Sequence, residues 1–272
     1  MILQKRVLFV AAYLFNCLLF SQVVIADDLA INSEAATAYY SADFLEDVKH
    51  GVKDQELKKS IISTFKKHVS IGYDSAKVFL MGKFYLVNDN NHYAVKDVYC
   101  SRDIDEDEFP NGKPAPNKVP DNTIINTEHT WPQSRFNGNL DKGIQKADLH
   151  HLFPTDSKIN NIRGNFKFGE VQKDLSILKC NGPRFGTPSY SSERVFEPPQ
   201  QHKGNVARAL FYFSTKYKLA IDPNEEAVLR KWASEDPVDA EEMHRNDEIE
   251  KAQHSRNPFI DFSELINNIS DF

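Results

Sequence analysis

The chain is 272 residues long and 40% apolar, with three cysteines and a formal net charge of −6 at pH 7. An apolar fraction of this size supplies a real core, and the acidic balance excludes a protein that holds nucleic acid by its overall charge. The imbalance is uneven, however: residues 158–220 carry 11 Lys and Arg against 4 acids, whereas residues 27–157 carry 15 against 21 and residues 221–272 carry 5 against 14.

The chain begins with Lys5 and Arg6, continues through an apolar run from Val7 to Phe20, and reaches Val24-Ile25-Ala26 just before Asp27-Asp28. This pattern predicts a secretory signal peptide over residues 1–26, cleaved after Ala26. The competing reading is a retained membrane anchor, which Asn16, Ser21 and Gln22 inside the run disfavour. Residues 27–272 are read as one domain. An exported chain meets oxidising conditions, so Cys100 and Cys180 are expected to form one disulfide, the alternative being two buried thiols.

Leu29–Tyr40 and Leu45–Val69 read as scaffold helices, the second from Ile61, Phe65 and Val69. Val78–Val87 is read as containing a strand, and Tyr93–Cys100 as strand-like. Asp103–Asp121, with six acids and four prolines, reads as an exposed loop. Thr123–Thr130 is β-branched and stopped by Pro132, which predicts a strand delivering Glu128 and His129 at its end. Pro154-Thr155-Asp156 resembles a helix start, with Thr155 or Asp156 as cap, placing Lys158 to Asn161 on a short helix ended by Gly164, so that the order is strand, loop, helix. Val206, Ala209, Leu210, Phe213 and Tyr217 follow helical spacing and predict a core helix, and Glu225–Trp232 reads as another.

Candidate chemistry concentrates between residues 126 and 166. Glu128 is a hard oxygen ligand, His129 a base that is neutral near pH 7, Asn160 a second oxygen ligand, and Arg163 a fixed charge for a phosphate. Neighbours on an ideal strand face opposite sides, so Glu128 and His129 can share one site only where the strand ends or bulges. Magnesium prefers oxygen ligands, keeps several waters and takes one or two protein groups, so Glu128 and Asn160 are enough. The set points to metal-assisted phosphodiester hydrolysis, with His129 taking a proton from water.

At these residues the chain resembles the bacterial endonuclease I family, exported nucleases with a His-Me finger (ββα-metal) site. The resemblance is carried by Asn-Thr-Glu128-His129-Thr-Trp-Pro, Ala-Asp148-Leu-His150-His151-Leu-Phe-Pro, Ile-Asn160-Asn-Ile-Arg163-Gly-Asn165-Phe, Phe168-Gly-Glu-Val, Phe196-Glu197-Pro198-Pro199 and Gly204-Asn205-Val-Ala-Arg208-Ala. The strings Asp236-Pro-Val-Asp and Arg256-Asn257-Pro-Phe-Ile-Asp261 also match. It implies one Mg²⁺ on Glu128 and Asn160, His129 as general base, and DNA, often RNA too, cut with little sequence preference. Some members carry a transition-state arginine in a longer loop between the first two motifs; here Arg135 is the nearest substitute.

The resulting expectation is an α+β chain with a His-Me finger embedded in a mostly helical single domain. It would be an exported monomeric endonuclease, periplasmic or secreted, whose partner is nucleic acid. Arg135, Arg163 and Lys167 are its candidate substrate contacts, with Lys173 a further candidate for the phosphate backbone. Asp148, His150 and His151 are read as supporting and packing groups. Two rivals stand beside this reading: a zinc-dependent phosphodiesterase or phosphatase using His150 and His151 as ligands, and a non-catalytic nucleic-acid-binding module.

Overall fold

The computed structural model describes residues 34–272; the expected signal peptide lies outside them. Three short helices lead, α1 (Glu34–Tyr39), α2 (Ala42–Lys49) and α3 (Asp54–Thr64). The single helix expected over 45–69 is therefore two. Gly51 sits at φ +63°, a left-handed conformation that ends α2, and the chain restarts at Asp54. The strand expected within 78–87 is mostly helical: α4 (Tyr73–Phe79) widens into a π-helical turn at Leu80–Phe84 before β1 (Leu86–Asp89). A buried apolar run carries no periodicity that separates the two states.

The strand β1 forms a hairpin with β2 (His92–Asp97) through Asn90 and Asn91, both at positive φ, as a tight two-residue turn requires. β3 (Arg102–Asp105) joins the other side of β2, so the acidic segment begins as a strand rather than a loop. The pair β4 (Ile125–His129) and β5 (Leu152–Asp156) stands next, linked to the first sheet where Val98 N donates to Pro154 O at 3.1 Å. Between them lies α5 (Lys142–Ala147), and after them α6 (Ser157–Arg163). The expected strand, loop, helix is thus strand, strand, helix. Pro154, which suggested a helix start, pairs with Thr127 inside β5.

A third sheet orders β6 (Lys167–Phe168), β9 (Val195–Glu197), β8 (Arg184–Thr187) and β7 (Lys173–Ser176). The disulfide between Cys100 and Cys180 ties the end of β2 to the β7–β8 hairpin, as expected. The C-terminal part is helical: α7 (Lys203–Tyr217), α8 (Pro223–Glu235), α9 (Ala240–Gln253) and α10 (Pro258–Asp261). The whole is α+β, with α7 at the centre of the helical layer. The sequence predicts one apolar face for α7; in the structure Phe211 and Tyr212 are as buried as Leu210 and Phe213, so the helix is enclosed on all sides. Its start is tight. A Cβ on Gly204 would lie 2.0 Å from Asp236 O, so only glycine admits this approach. Among the described residues no helix is long and apolar enough to cross a membrane.

Candidate active site

β4 and β5 run antiparallel with Glu128 opposite Phe153 and His129 opposite Leu152. β5 passes straight into α6, whose first turn is capped by Asp156 accepting from Lys158 N at 2.8 Å and Ile159 N at 3.1 Å. Gly164, at φ +56°, ends the helix after two turns. This frame brings Glu128, His129 and Asn160 to one cleft of about 220 Å³, together with Thr127, Gln133 and Asn165. Glu128 and His129 share it because β4 stops at His129, just ahead of Pro132.

His129 is 7% exposed and its Nε2 lies 3.2 Å from the Lys146 carbonyl oxygen. A carbonyl only accepts, so Nε2 carries the proton and Nδ1 keeps its lone pair, 3.4 Å from the Gln133 amide nitrogen. Burial, reinforced by the neighbouring His151, pushes the His129 pKa down to about 3, which leaves the ring neutral. His151 stands edge-on to it at 5.4 Å between centroids.

Glu128 is buried, and burial pushes its carboxyl above the ordinary value against the pull of Arg163 and the Tyr99 hydroxyl. Its Oε1 faces Arg163 Nε at 3.0 Å, out of line for a hydrogen bond. Asn160 Nδ2 donates to Asn126 Oδ1 at 2.7 Å, which fixes the amide and leaves Oδ1 for the cleft. A carboxylate and a free amide oxygen lining one cleft are a donor set for a hard cation such as Mg²⁺, which completes its shell with water. It does not suit zinc. No group of three or more His, Cys, Asp or Glu that could hold a metal exists among the described residues.

The zinc rival fails on position as well. His150 Nε2 donates to Ser255 O at 3.0 Å and His151 Nε2 to Gln145 O at 2.8 Å, and neither ring lines the cleft. Asp148 is a buried hub, accepting from Lys216 Nζ at 2.6 Å, Tyr217 Oη at 2.7 Å and Gln253 Nε2 at 2.9 Å. Burial alone would raise its carboxyl, but Lys216 and the nearby imidazoles hold it well below the ordinary range. These residues support the strand pair from behind.

Three expected substrate contacts are placed differently. Arg163, expected to face a phosphate, is 1% exposed; it pairs with Glu128 and donates to Thr130 O at 2.7 Å and Gly164 O at 2.9 Å. It braces the Glu128 carboxylate instead. Arg135 pairs with Glu225 at 3.1 Å and lies over the Trp131 ring, outside the cleft lining. Lys167 is held by Asp222 at 2.8 Å and Glu193 at 3.5 Å, so its charge is already balanced. Lys173 is exposed on β7. Sequence reasoning missed Gln133, which faces the His129 lone pair, and Asn126, which orients Asn160. The signal available for Gln133 was its place directly after the Trp131-Pro132 stop; Asn126 carried none beyond lying in the same strand.

An α+β protein whose strand–strand–helix unit gathers a neutral imidazole, a buried carboxylate and an amide oxygen at one cleft is the class that fold and site define. The chain belongs to the Endonuclease I family, which matches residues 53–264. It is similar to an extracellular ribonuclease of Bacillus subtilis (strain 168), 35% identical over 162 residues that cover 53% of each chain. It is also similar to an extracellular deoxyribonuclease of Aeromonas hydrophila, 31% identical over 43% of this chain and 49% of that one. A periplasmic deoxyribonuclease of Aeromonas hydrophila is 30% identical over 43% of this chain and 48% of that one. The chain spans about half the length of these relatives.

Proposed function

We propose that this chain is an exported, Mg²⁺-dependent endonuclease that hydrolyses DNA and RNA with little sequence preference. The observation that carries the reading is the placement of the His129 ring: Nε2 lies against the Lys146 carbonyl, which calls for the proton there and leaves Nδ1, beside Gln133, at the cleft that Glu128 and Asn160 also line. Nδ1 accepts a proton from the attacking water, and the His129 ring keeps its orientation through the bond at Nε2. Glu128 and Asn160 would hold a magnesium ion, which would supply positive charge to the scissile phosphate. Arg163 and Asn126 hold the two ligands in place, and Gln133 Nε2 stands 3.4 Å from the His129 Nδ1 that takes the proton. The extracellular and periplasmic nucleases among the relatives support both the chemistry and the export.

The test is incubation of purified protein with supercoiled plasmid and with single-stranded RNA, with and without chelator. Nicking and RNA loss that stop on chelation and return with Mg²⁺ are expected, and His129→Ala should abolish both. Cleavage that persists in chelator, or in the His129 variant, would overturn the assignment.

A further inference from the structure

A second cavity, of about 590 Å³, lies on the far side of α6 from the His129 cleft. Asn160 and Gly164 line the cleft, whereas Lys158 and Ile162, each two residues from Asn160, line the cavity. Two residues turn a helix by roughly 200°, so the cleft and the cavity lie on opposite faces of a helix about 10–12 Å across, a separation a few nucleotides of one strand can bridge.

The walls are aliphatic: Ile159 and Ile162 from α6, and Ile177 and Leu178 from the segment after β7. Ile177 is 98% exposed. A side chain so exposed contributes nothing to a core, and beside the half-buried Ile162 and Leu178 it extends the apolar wall out to solvent. The segment is held in place, because Cys180, three residues on, is bonded to Cys100. The rim is positive. Lys158 and Lys179 make no ion pair among the described residues, whereas Glu108 is paired with Arg102 at 2.7 Å and Asp156 is engaged in capping α6. Flat apolar groups joined by anionic linkers fit an aliphatic slot with a cationic rim.

We propose that this cavity binds an unstacked nucleobase of the strand whose phosphate sits at the His129 cleft, so that the chain prefers single-stranded or locally unpaired nucleic acid to intact duplex. The proposal rests on the nuclease reading above. Aliphatic side chains are known to pack against base faces where they wedge between base steps, and a base stacked inside a duplex has no free face to offer. The phosphates beside that base lie at Lys158 and Lys179, which position the strand without reading its sequence.

The experiment uses full-length protein in chelator and fluorescence anisotropy on three labelled oligonucleotides of equal length: a single strand, the same strand with abasic sites, and the duplex. The single strand should bind roughly tenfold tighter than the abasic strand, the scale of one base contact. Ile177→Ser, at an exposed position where folding is not at stake, should remove most of that difference and leave the salt dependence unchanged, because the phosphate contacts are untouched. With Mg²⁺ restored, the ratio of single-strand to duplex cleavage should fall toward one in the variant. Equal binding of normal and abasic strands, or a difference that survives in Ile177→Ser, would overturn the subsite while leaving the nuclease reading intact. Absence of both binding and Mg²⁺-dependent cleavage would overturn both.

Discussion

Replacing Arg163 by Met keeps the length of the side chain and removes its charge, at a position where the structure makes that charge indispensable. The guanidinium is 1% exposed, faces the Glu128 carboxylate at 3.0 Å, donates to two backbone carbonyls at 2.7 and 2.9 Å, and lies over the Phe168 ring. Its loss leaves a carboxylate with 2% exposure and no cation, and two carbonyls without a donor. Breaking a buried pair from one side costs about 3–5 kcal/mol, because the surviving charge is uncompensated. With a urea slope of about 3 kcal/mol/M, at the upper end of the range for small domains, the unfolding midpoint should fall by about 1–1.7 M. The double variant Glu128→Gln with Arg163→Met removes both charges and should recover part of the loss, giving a coupling of about 1–3 kcal/mol. Urea unfolding of wild type, both single variants and the double variant, in chelator, measures it. A loss below about 1 kcal/mol in Arg163→Met, or strictly additive losses, would mean that Arg163 does not brace Glu128 and that its phosphate-binding reading must be reopened.

Three further outcomes are expected. Calorimetric Mg²⁺ titration should separate ligand from base: Glu128→Ala loses metal binding, His129→Ala keeps it while losing cleavage, and equal loss in both would make His129 a ligand. His202 is buried against Phe153 and its pKa is pushed down to about 3, so the folded chain excludes a proton that the unfolded chain takes up below about 6.5. Stability is therefore fully present above about pH 6.5 and is lost as pH falls toward 3, by about 2 kcal/mol from this one group at pH 5. His202→Phe should flatten that acid limb in urea melts, and an unchanged limb would refute the assignment. Removing the Cys100–Cys180 bond by Cys→Ser at both positions opens a loop with a sequence separation of 80 and should cost about 4 kcal/mol on the chain-entropy account. Thiol titration of the unreduced protein lacking residues 1–26 should find no free cysteine; two would refute the bridge.

Much of the site is local, and for that reason it was legible in the sequence. Glu128 and His129 sit at a strand end because Pro132 lies just beyond, and Asn160 sits on a helix whose cap, Asp156, and stop, Gly164, are both within four residues of it. The central helix was legible from its spacing, and the disulfide from two cysteines in a chain read as exported. What the tertiary structure alone decided is where charge is buried. β5 escaped because all but one of its residues are buried, which erases the alternation that marks a strand, and because Pro154 inside it mimics a helix start. α9 escaped because the face it buries is largely polar: Glu242, Arg245, Asn246 and Gln253 are enclosed with Ile249. Polar side chains can be buried only when partners satisfy them, and those partners come from distant parts of the chain: Arg208 for Glu242, the carbonyls of Leu149 and Leu152 for Arg245. The same holds for Arg163. An arginine beside an active-site motif looks like a phosphate contact until the fold sets Glu128, 35 residues earlier, against its guanidinium and closes both from water. Sequence spacing fixes which residues share an element; which charges meet, and whether solvent reaches them, depends on how the elements pack.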